Sequence, residues 1–599
     1  MQQHRSRSVF VLLASVATWV LASAGVAAQD ARPVEASSKR GPRVLDPAEC
    51  GIGEAVPRLA WRDLDGRPGR LGEAGALGGQ VVVLTDTACP LAQKYAPTVA
   101  RLAKRCRQDD LDFVLLNTVE GEEPAEMRRW LAEHEIEATY VHDPSGELAR
   151  ALGARTTTDV FLLDRRGRRV YRGAIDDRFG LGYALDAPRE RYLDEAIEAL
   201  FDGDAAPVPA TWAPGCVLDL EPTTAAGELS WNGRAGAIIE RRCAACHHEG
   251  GVAPFELTTR EAVERRKGMV RFVVEERLMP PWGATEEGGP WRNDHSLSPA
   301  ERDDLLAWLA DGLPAGEGDA ARELRAPRAE SEWLIGEPDV VIEIPEDRHI
   351  PAEGVLDYVE VVVPTNFDED RWVRAVEIRP TAPQAVHHVL VHVLDGRPHD
   401  ESDRRLPGFL AAYVPGNSEH VLPPGFAKKL KAGSRLFFQL HYTPNGAATS
   451  DRTRLGLVFA DGPPEHEVRC VGIANKRFEI PPGAAMHDVS SEFEVPREVA
   501  LLSLMPHMHL RGRAFLFESE RPGEPLETLL EVPDYDFNWQ FAYRFEEPVV
   551  LPRGSRITVT GWFDNSEDNP ANPDPAQAVH WGDQTFDEMM IGYVEYYLR

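Results

Sequence analysis

Two histidines occur in a His-x-His step, His507-Met508-His509, just after an apolar run from Val499 to Leu504 that has the composition of a strand. In an extended strand, residues i and i+2 point to the same face, so both imidazoles can bind one metal ion without distorting the backbone. Two solvated histidines on a polar strand face are an equally common alternative. The step alone therefore indicates a candidate site and does not establish one.

Further candidate metal ligands lie in the same half of the chain: the pair His387-His388, His441 and Met589. Imidazole suits copper, zinc, iron or nickel, whereas a thioether favours cuprous copper. Adjacent strand residues face opposite sides, so His387 and His388 can reach one metal only if a bulge or strand end re-aims one of them. Five histidines and a methionine divide into a site with three imidazoles and a site with two imidazoles and sulfur. This division favours a redox copper pair over structural zinc.

From about Gly336 to its end, the chain resembles the copper type II, ascorbate-dependent monooxygenase family, which includes peptidylglycine and dopamine beta-monooxygenases. The resemblance rests on four motifs in order: His387-His388, His441-Tyr442, His507-x-His509-Leu510-x-Gly512 and Asp587-Glu588-Met589-Met590. It implies two all-β, jelly-roll subdomains, at 336–467 and 468–599. It also implies that His387, His388 and His441 hold an electron-storing copper. The catalytic copper, which activates dioxygen, would be held by His507, His509 and Met589.

A second motif, Cys243-x-x-Cys246-His247, has the pattern of c-type haem attachment, in which the cysteines bond the vinyl groups and the histidine is the proximal ligand. A zinc site would want another Cys/His pair nearby, and the sequence has none there. Met279, in a proline-bounded turn, is the candidate distal ligand. The region 231–315 thus resembles a small all-α cytochrome c domain, and Met/His ligation suits an electron carrier.

Cys89 ends an apolar strand, Gln80 to Thr85, and opens a predicted helix, a position that favours thiolate. The alternating strands and helices of 50–210 resemble the α/β thioredoxin-like redoxin and peroxiredoxin superfamily. Ala92 stands where a Cys-x-x-Cys motif has its second cysteine, and Thr158 stands where the superfamily has its cis-proline. Two interpretations stay open: a catalytic Cys89 acting as a one-cysteine redox, peroxide or copper-handling site, and a scaffold domain.

The chain has seven cysteines, and their spacing limits which of them can pair. Cys106 lies 17 helical residues after Cys89, or about 25 Å, which is too far for a disulfide. Cys50 and Cys216 bracket the redoxin-like region, and a disulfide between them is a hypothesis, because sequence cannot fix connectivity.

The start of the chain predicts export. Arg5 and Arg7 precede an apolar run from Val9 to about Ala22, and small residues follow to Ala28, so residues 1–28 read as a cleaved signal peptide. The run is nearly long enough to span a membrane, so membrane association through an uncleaved anchor is the alternative. A periplasmic or extracellular location follows. Linkers are predicted at 29–49, 211–230 and 316–335.

Composition limits the classes of partner. A chain of 599 residues with 43% hydrophobic content can form three or four domains. Its formal charge of −32 argues against nucleic acid and anionic lipid as partners, because like charges repel.

Together these patterns predict an exported multidomain redox enzyme that hydroxylates a C–H bond of an unidentified small molecule or peptide with O2. Its cofactors would be two copper ions and one covalently bound haem c, which passes electrons from an external donor. Two other functions are weighed against this one: a copper-binding or copper-delivery protein without oxygenation, and a haem–thiol electron-transfer or peroxide-linked protein on a β scaffold.

Overall fold

The computed structural model describes residues 39–73, 78–119, 121–218, 220, 229–318, 321–325, 333–394 and 408–599. The predicted signal peptide lies outside these residues. Among the residues described, no helix is both long and apolar enough to cross a membrane.

The first part of the chain is an α/β domain around a mixed sheet. In its central strand all six residues, Gly79–Leu84, are buried, and this strand pairs parallel with one neighbour and antiparallel with the other. A 19-residue helix follows directly after Cys89, with Pro90 at its first position, where the missing N–H is not needed. The sheet order is β6-β5-β4-β7-β8. In chain order the elements are β1 (Arg43–Val44), β2 (Ala60–Arg62), β3 (Pro68–Arg70), β4 (Gly79–Leu84), α1 (Pro90–Gln108), β5 (Leu111–Asn117), α2 (Pro124–Glu133), β6 (Thr139–His142), α3 (Glu147–Leu152), β7 (Val160–Asp164), β8 (Arg169–Gly173), β9 (Phe179–Gly180), β10 (Tyr183–Ala184), α4 (Tyr192–Asp202) and β11 (Thr211–Trp212).

The middle part is helical: α5 (Arg234–Arg242), α6 (Arg260–Glu264), α7 (Lys267–Glu275) and α8 (Pro299–Ala310). Its core is built on Trp231 and Trp308, whose stacked rings lie 6.1 Å apart. Ser298 and Glu301 form a reciprocal capping box that fixes the start of α8.

The last part is almost entirely strands, arranged as one long sheet with a smaller sheet packed on each of its halves. The long sheet has the order β12-β22-β15-β19-β23-β32-β26-β29, with β18 also on β15, and the parallel pair β19–β23 joins its two halves. Four-stranded sheets, β14-β20-β16-β17 and β25-β30-β27-β28, pack on these halves and enclose separate apolar cores. The jelly-roll connectivity stays a prediction. In chain order the elements are β12 (Val340–Glu343), β13 (Arg348–Ile350), β14 (Val359–Pro364), β15 (Arg371–Arg379), a 3₁₀ turn (Pro383–Ala385), β16 (Val386–Leu394), β17 (Gly408–Tyr413), β18 (Glu419–Val421), β19 (Phe426–Leu430), β20 (Arg435–Tyr442), β21 (Thr449–Asp451), β22 (Arg454–Phe459), β23 (His466–Ala474), β24 (Glu479–Ile480), β25 (His487–Glu494), β26 (Val499–His507), β27 (Gly512–Glu520), β28 (Leu526–Val532), β29 (Tyr543–Leu551), β30 (Arg556–Phe563), β31 (Val579–His580) and β32 (Ile591–Leu598).

Two segments predicted as linkers are in fact packed against folded elements. Residues 39–49 include β1, which pairs with β11, and the buried Lys39, whose Nζ donates to the carbonyl oxygens of Leu510 at 2.9 Å and Gly512 at 3.1 Å. Residues 211–217 lie along the loop that precedes β7. The polar composition of both segments predicted unstructured linkers. The residues that bind their polar groups are distant in sequence, so composition could not reveal these contacts.

Candidate metal centre

His387, His388 and His441 lie side by side on two neighbouring strands. His388 pairs with His441 across β16 and β20, and the register shifts between Val386 and His388, so His387 sits in a bulge. This is the bulge that a shared site requires, because it turns His387 toward the face of its neighbour. One ring nitrogen from each histidine lies within 4.8 Å of the others.

His507 and His509 lie at the end of β26, with ring centroids 5.3 Å apart. Strand β32 pairs antiparallel with β26 and places Ile591 opposite His507. Met589 comes two residues before Ile591 and His509 two residues after His507, both just outside the paired strands. The Met589 side chain is buried in an apolar cluster with Met505 and Tyr593.

The two groups of candidate ligands share one pocket. The rings of His388 and His507 lie 6.5 Å apart. Tyr358 lies between the groups, with its ring 4.8 Å from that of His441 and 6.3 Å from that of His509. Phe537 stacks on His387 at 4.6 Å. Sequence reasoning missed both aromatic residues, because neither belongs to a metal-ligand motif.

Three ring nitrogens in this pocket lack a partner. In the described part of the chain, Nε2 of His388, Nδ1 of His441 and Nε2 of His509 are buried without a hydrogen bond. A buried polar atom left unpaired costs about 1–3 kcal/mol, and metal ions bound at the two groups would satisfy all three. Imidazole and thioether donors together suit copper. The residues present therefore fit the metal that the sequence predicts.

Burial keeps these imidazoles neutral, which is the form that binds metal. It lowers the pKa of His387 and of His507 to about 4 and that of His509 to about 3. The pKa values of His388 and His441 fall well below the ordinary value, because burial and the neighbouring histidines both oppose a charge.

Hydrogen bonds on the ring nitrogens that face away from the pocket orient His507 and His387. Nδ1–H of His507 donates to Oε1 of Gln540 at 2.6 Å, so its Nε2 faces the pocket. His387 donates through Nε2 to Oδ1 of Asn538 at 3.2 Å, which turns its Nδ1 inward. Such partners fix the tautomer and direction of metal-binding histidines.

A buried carboxylate shapes the backbone that follows β26. Glu588 accepts from the backbone N–H of His509 at 2.9 Å and from that of Arg511 at 2.6 Å. Lys39 holds carbonyls of the same loop. His509 is therefore positioned by residues from both ends of the chain.

Cys243, Cys246 and His247 lie together in the turn after α5. Nδ1–H of His247 donates to the carbonyl of Phe255 at 2.9 Å, so Nε2 is the ring nitrogen left for a ligand role. Burial lowers the pKa of His247, which favours the neutral ring. This arrangement fits a proximal haem ligand.

Cys89 has a partner that the sequence did not indicate. Its Sγ lies 3.0 Å from Sγ of Cys216, and both side chains are buried. The predicted Cys50–Cys216 pairing is therefore wrong. All seven cysteines are free, and the sulfur that lies against Sγ of Cys216 is that of Cys89, not that of Cys50.

A cavity of about 480 Å³ lies where the three parts of the chain meet. Its walls include Cys216 from the α/β domain, Met279 from the helical part, and His387 and His441 from the β region. A cysteine of the redoxin domain, the predicted haem ligand and two predicted copper ligands therefore line one cavity.

Comparisons with known proteins identify two of the three parts. Residues 52–171 match a model of the AhpC/TSA family, and residues 473–599 match copper type II ascorbate-dependent monooxygenase, C-terminal domain. Methylamine utilization protein MauD of Paracoccus denitrificans is 32% identical over 157 residues, which are 26% of this chain and 74% of that protein. DBH-like monooxygenase protein 1 of Mus musculus is 32% identical over 108 residues, which are 18% of this chain and 16% of that protein. An uncharacterized conserved protein from Geobacillus kaustophilus, of known structure, aligns over 31% of this chain and 98% of its own, with 22% identity and a TM-score of 0.26.

The fold and the matches define a chain that joins a thioredoxin-like redoxin domain to a β-rich region ending in a copper type II monooxygenase C-terminal domain. Through its redoxin domain the chain belongs to the family of MauD. His507, His509 and Met589 lie inside the matched copper domain, and Cys89 lies inside the matched redoxin domain. The histidines of the first group and Cys216 lie outside both matches.

Proposed function

We propose that the protein is an exported, periplasmic or extracellular copper-dependent monooxygenase that hydroxylates a C–H bond of a small molecule or peptide with O2. The observation that carries this proposal is the cluster of five histidines, four buried and one half-buried, three of which have an unpaired ring nitrogen. His387, His388 and His441 would hold one copper ion, and His507, His509 and Met589 the other. When bound, copper supplies one-electron redox chemistry and dioxygen activation.

The chain's own residues perform the positioning. Gln540 and Asn538 fix which ring nitrogens of His507 and His387 face the pocket. Tyr358 and Phe537 cover the histidines with aromatic surface and keep water away from them. The cavity that His387 and His441 line, and whose wall continues to Leu510 beside His509, is the proposed substrate space.

We further propose that the region 231–315 carries haem c and receives electrons from an external donor. Cys243 and Cys246 would bind the haem covalently, and His247 and Met279 would be its axial ligands. The hydrogen bond from His247 to the Phe255 carbonyl supports the proximal role. Met279 and His387 both line the cavity, so the proposed haem ligand and the first group of histidines face one space.

The first test is the copper content per haem of the exported protein. We expect two coppers per haem, falling to one in the variant His507→Ala/His509→Ala, because only the second group loses its ligands. A matched control, His349→Ala/His580→Ala, removes two exposed histidines and should keep both coppers.

Air reoxidation of the pre-reduced haem then separates the candidate functions. Fast reoxidation in the parent and slow reoxidation in the double variant would support oxygen chemistry at the second group. Bound copper without oxygen-dependent reoxidation would favour copper binding or delivery. A protein that binds no copper after careful loading would contradict the proposal.

A further inference from the structure

The redoxin domain contains a pair of cysteines that no sequence motif joins. Sγ of Cys89 and Sγ of Cys216 lie 3.0 Å apart, closer than two sulfur atoms come in ordinary packing. Thr157 bridges them: its Oγ1 lies 2.9 Å from Sγ of Cys89 and accepts from the backbone N–H of Cys216 at 2.9 Å. An approach of about 1 Å would bring the two sulfurs to bonding distance.

Local structure holds Cys216 in this position. The segment 213–217 is bound to Thr156–Thr158, whose hydroxyls at the two ends donate to the carbonyls of Ala213 and Pro214 at 2.8 and 2.7 Å. The N–H of Thr157 donates to the carbonyl of Cys216 at 2.8 Å. Gly215 permits the close approach, because a Cβ there would lie 1.7 Å from the carbonyl oxygen of Thr157. We call Thr156–Thr158 the threonine loop; it includes Thr158, which stands where the superfamily has its cis-proline. Its contacts hold Cys216 beside Cys89.

The two sulfurs differ in access. Cys89 is 0% exposed, whereas Cys216 is 5% exposed and lines the cavity where the three parts of the chain meet. Just before Cys89 in the chain, Asp86 forms a buried ion pair with Arg266 of the helical part at 3.3 Å. From the β region, Gly446 packs against the backbone of Gln93. These contacts cover the start of α1, whereas Cys216 lines the cavity, so we infer that access to the pair is through the cavity and by way of Cys216.

The two sulfurs also differ in acidity. Burial opposes ionisation of Cys89, but hydrogen bonds from Cys216 and Thr157 outweigh it and lower the pKa of Cys89. The contact with Cys89, together with burial, raises the pKa of Cys216. In the disulfide neither sulfur carries a proton, so position decides the direction: Cys216 lines the cavity and is the sulfur a small thiolate meets first, and Cys89 is the sulfur that departs.

We propose that Cys89 and Cys216 form a redox-active dithiol–disulfide pair that exchanges with low-molecular-weight thiols through the cavity, with Cys216 as the attacked sulfur. A small thiolate RS⁻ attacks Sγ of Cys216, the S–S bond breaks, and Cys89 leaves as thiolate. A second RS⁻ attacks the R sulfur of the mixed disulfide, which releases RSSR and the thiolate of Cys216. Two RSH thus give two electrons and two protons to the pair. The reverse reaction oxidises the pair with a small disulfide.

Disulfide mapping of the full-length protein tests this inference and does not depend on copper. After equilibration with 2-hydroxyethyl disulfide, digestion without reduction should give a peptide pair linked through Cys89 and Cys216. The variant Cys106→Ser, which removes another buried cysteine of α1, should give the same pair. A Cys50–Cys216 link, or no link to Cys89, would overturn the proposal even without any variant.

Single-cysteine variants test the direction of attack. In Cys89→Ser, 2-hydroxyethyl disulfide should leave one mixed disulfide on Cys216, whereas in Cys216→Ser the buried Cys89 should stay unmodified. Thermal melting of each variant verifies that it is folded. Modification of Cys89 in folded Cys216→Ser would reverse the assignment. Labelling of native Cys216 by a poly(ethylene glycol) maleimide as fast as by N-ethylmaleimide would overturn access through the cavity.

Discussion

His388 and His507 belong to strands of different β cores, yet their rings lie 6.5 Å apart. The long sheet, joined by the parallel pair β19–β23, brings the two halves of the β region together. The two candidate copper sites are therefore neighbours within one pocket, with Tyr358 between them.

This proximity predicts magnetic interaction between the two coppers. When both sites hold cupric ions, the integrated paramagnetic resonance signal should fall below that of two isolated ions, because ligands so close place the ions within coupling range. His507→Ala/His509→Ala, with one copper left, should give the full signal of one ion. A parent protein with two bound cupric ions and two full spins would contradict the shared pocket.

Gln540→Leu should weaken copper binding at the second group. The substitution removes the acceptor that holds Nδ1–H of His507 at 2.6 Å and leaves that N–H buried and unpaired. Loss of such a partner lowers metal affinity by about 10- to 100-fold. Competition with a chelator of known affinity measures the change, and Gln108→Leu at the exposed end of α1 is the control. Unchanged affinity would show that Gln540 does not orient the ligand.

Gly215→Ala should separate Cys216 from Cys89. The new methyl group would clash with the carbonyl of Thr157, so the segment must shift at a cost of about 1–3 kcal/mol. We expect a lower melting temperature and a lower yield of the Cys89–Cys216 disulfide at a fixed thiol/disulfide ratio. Gly462→Ala is the control, since a Cβ there meets no atom within 4 Å. Equal yields in Gly215→Ala and the parent would contradict the close fit.

Glu595→Gln should destabilise the β region by about 3 kcal/mol near neutral pH. The carboxylate is buried, lies 2.7 Å from Nζ of Lys428 and is close to His420. Burial alone would raise the pKa of Glu595, but His420 and Lys428 outweigh it and lower the pKa to about 2. The substitution leaves Lys428 buried without its ion pair.

The sign of the pH dependence follows from the lowered pKa. Because Glu595 ionises more readily in the folded chain than in the unfolded one, its stabilisation is complete above the unfolded pKa of about 4.3 and is lost as pH falls toward 2. Urea unfolding of parent and Glu595→Gln at several pH values should show a difference that shrinks over this window. Glu498→Gln, which breaks an exposed pair with Arg599, should change stability by less than about 1 kcal/mol. A constant difference for Glu595→Gln would rule out the ion pair as its cause.

Features that depend on residues close together in the sequence were predicted correctly. The buried strand before Cys89, the helix after it and the bulge needed at His387 follow from neighbouring residues, and the structure contains all three. The proximity of Cys216 to Cys89 did not follow, because 127 residues separate them and the threonine loop that joins them has no motif. Tyr358 and Phe537 were missed for the same reason, since an aromatic wall is defined only by the packing of distant strands.

The contact of Lys39 with the loop after His509 has a consequence for the order in which the molecule is completed. This lysine is synthesised 471 residues ahead of Leu510, whose carbonyl it binds. The contact can form only once Leu510 has been added to the chain. A chain that stops short of Leu510 therefore lacks this contact, and it also lacks Met589, which lies further on.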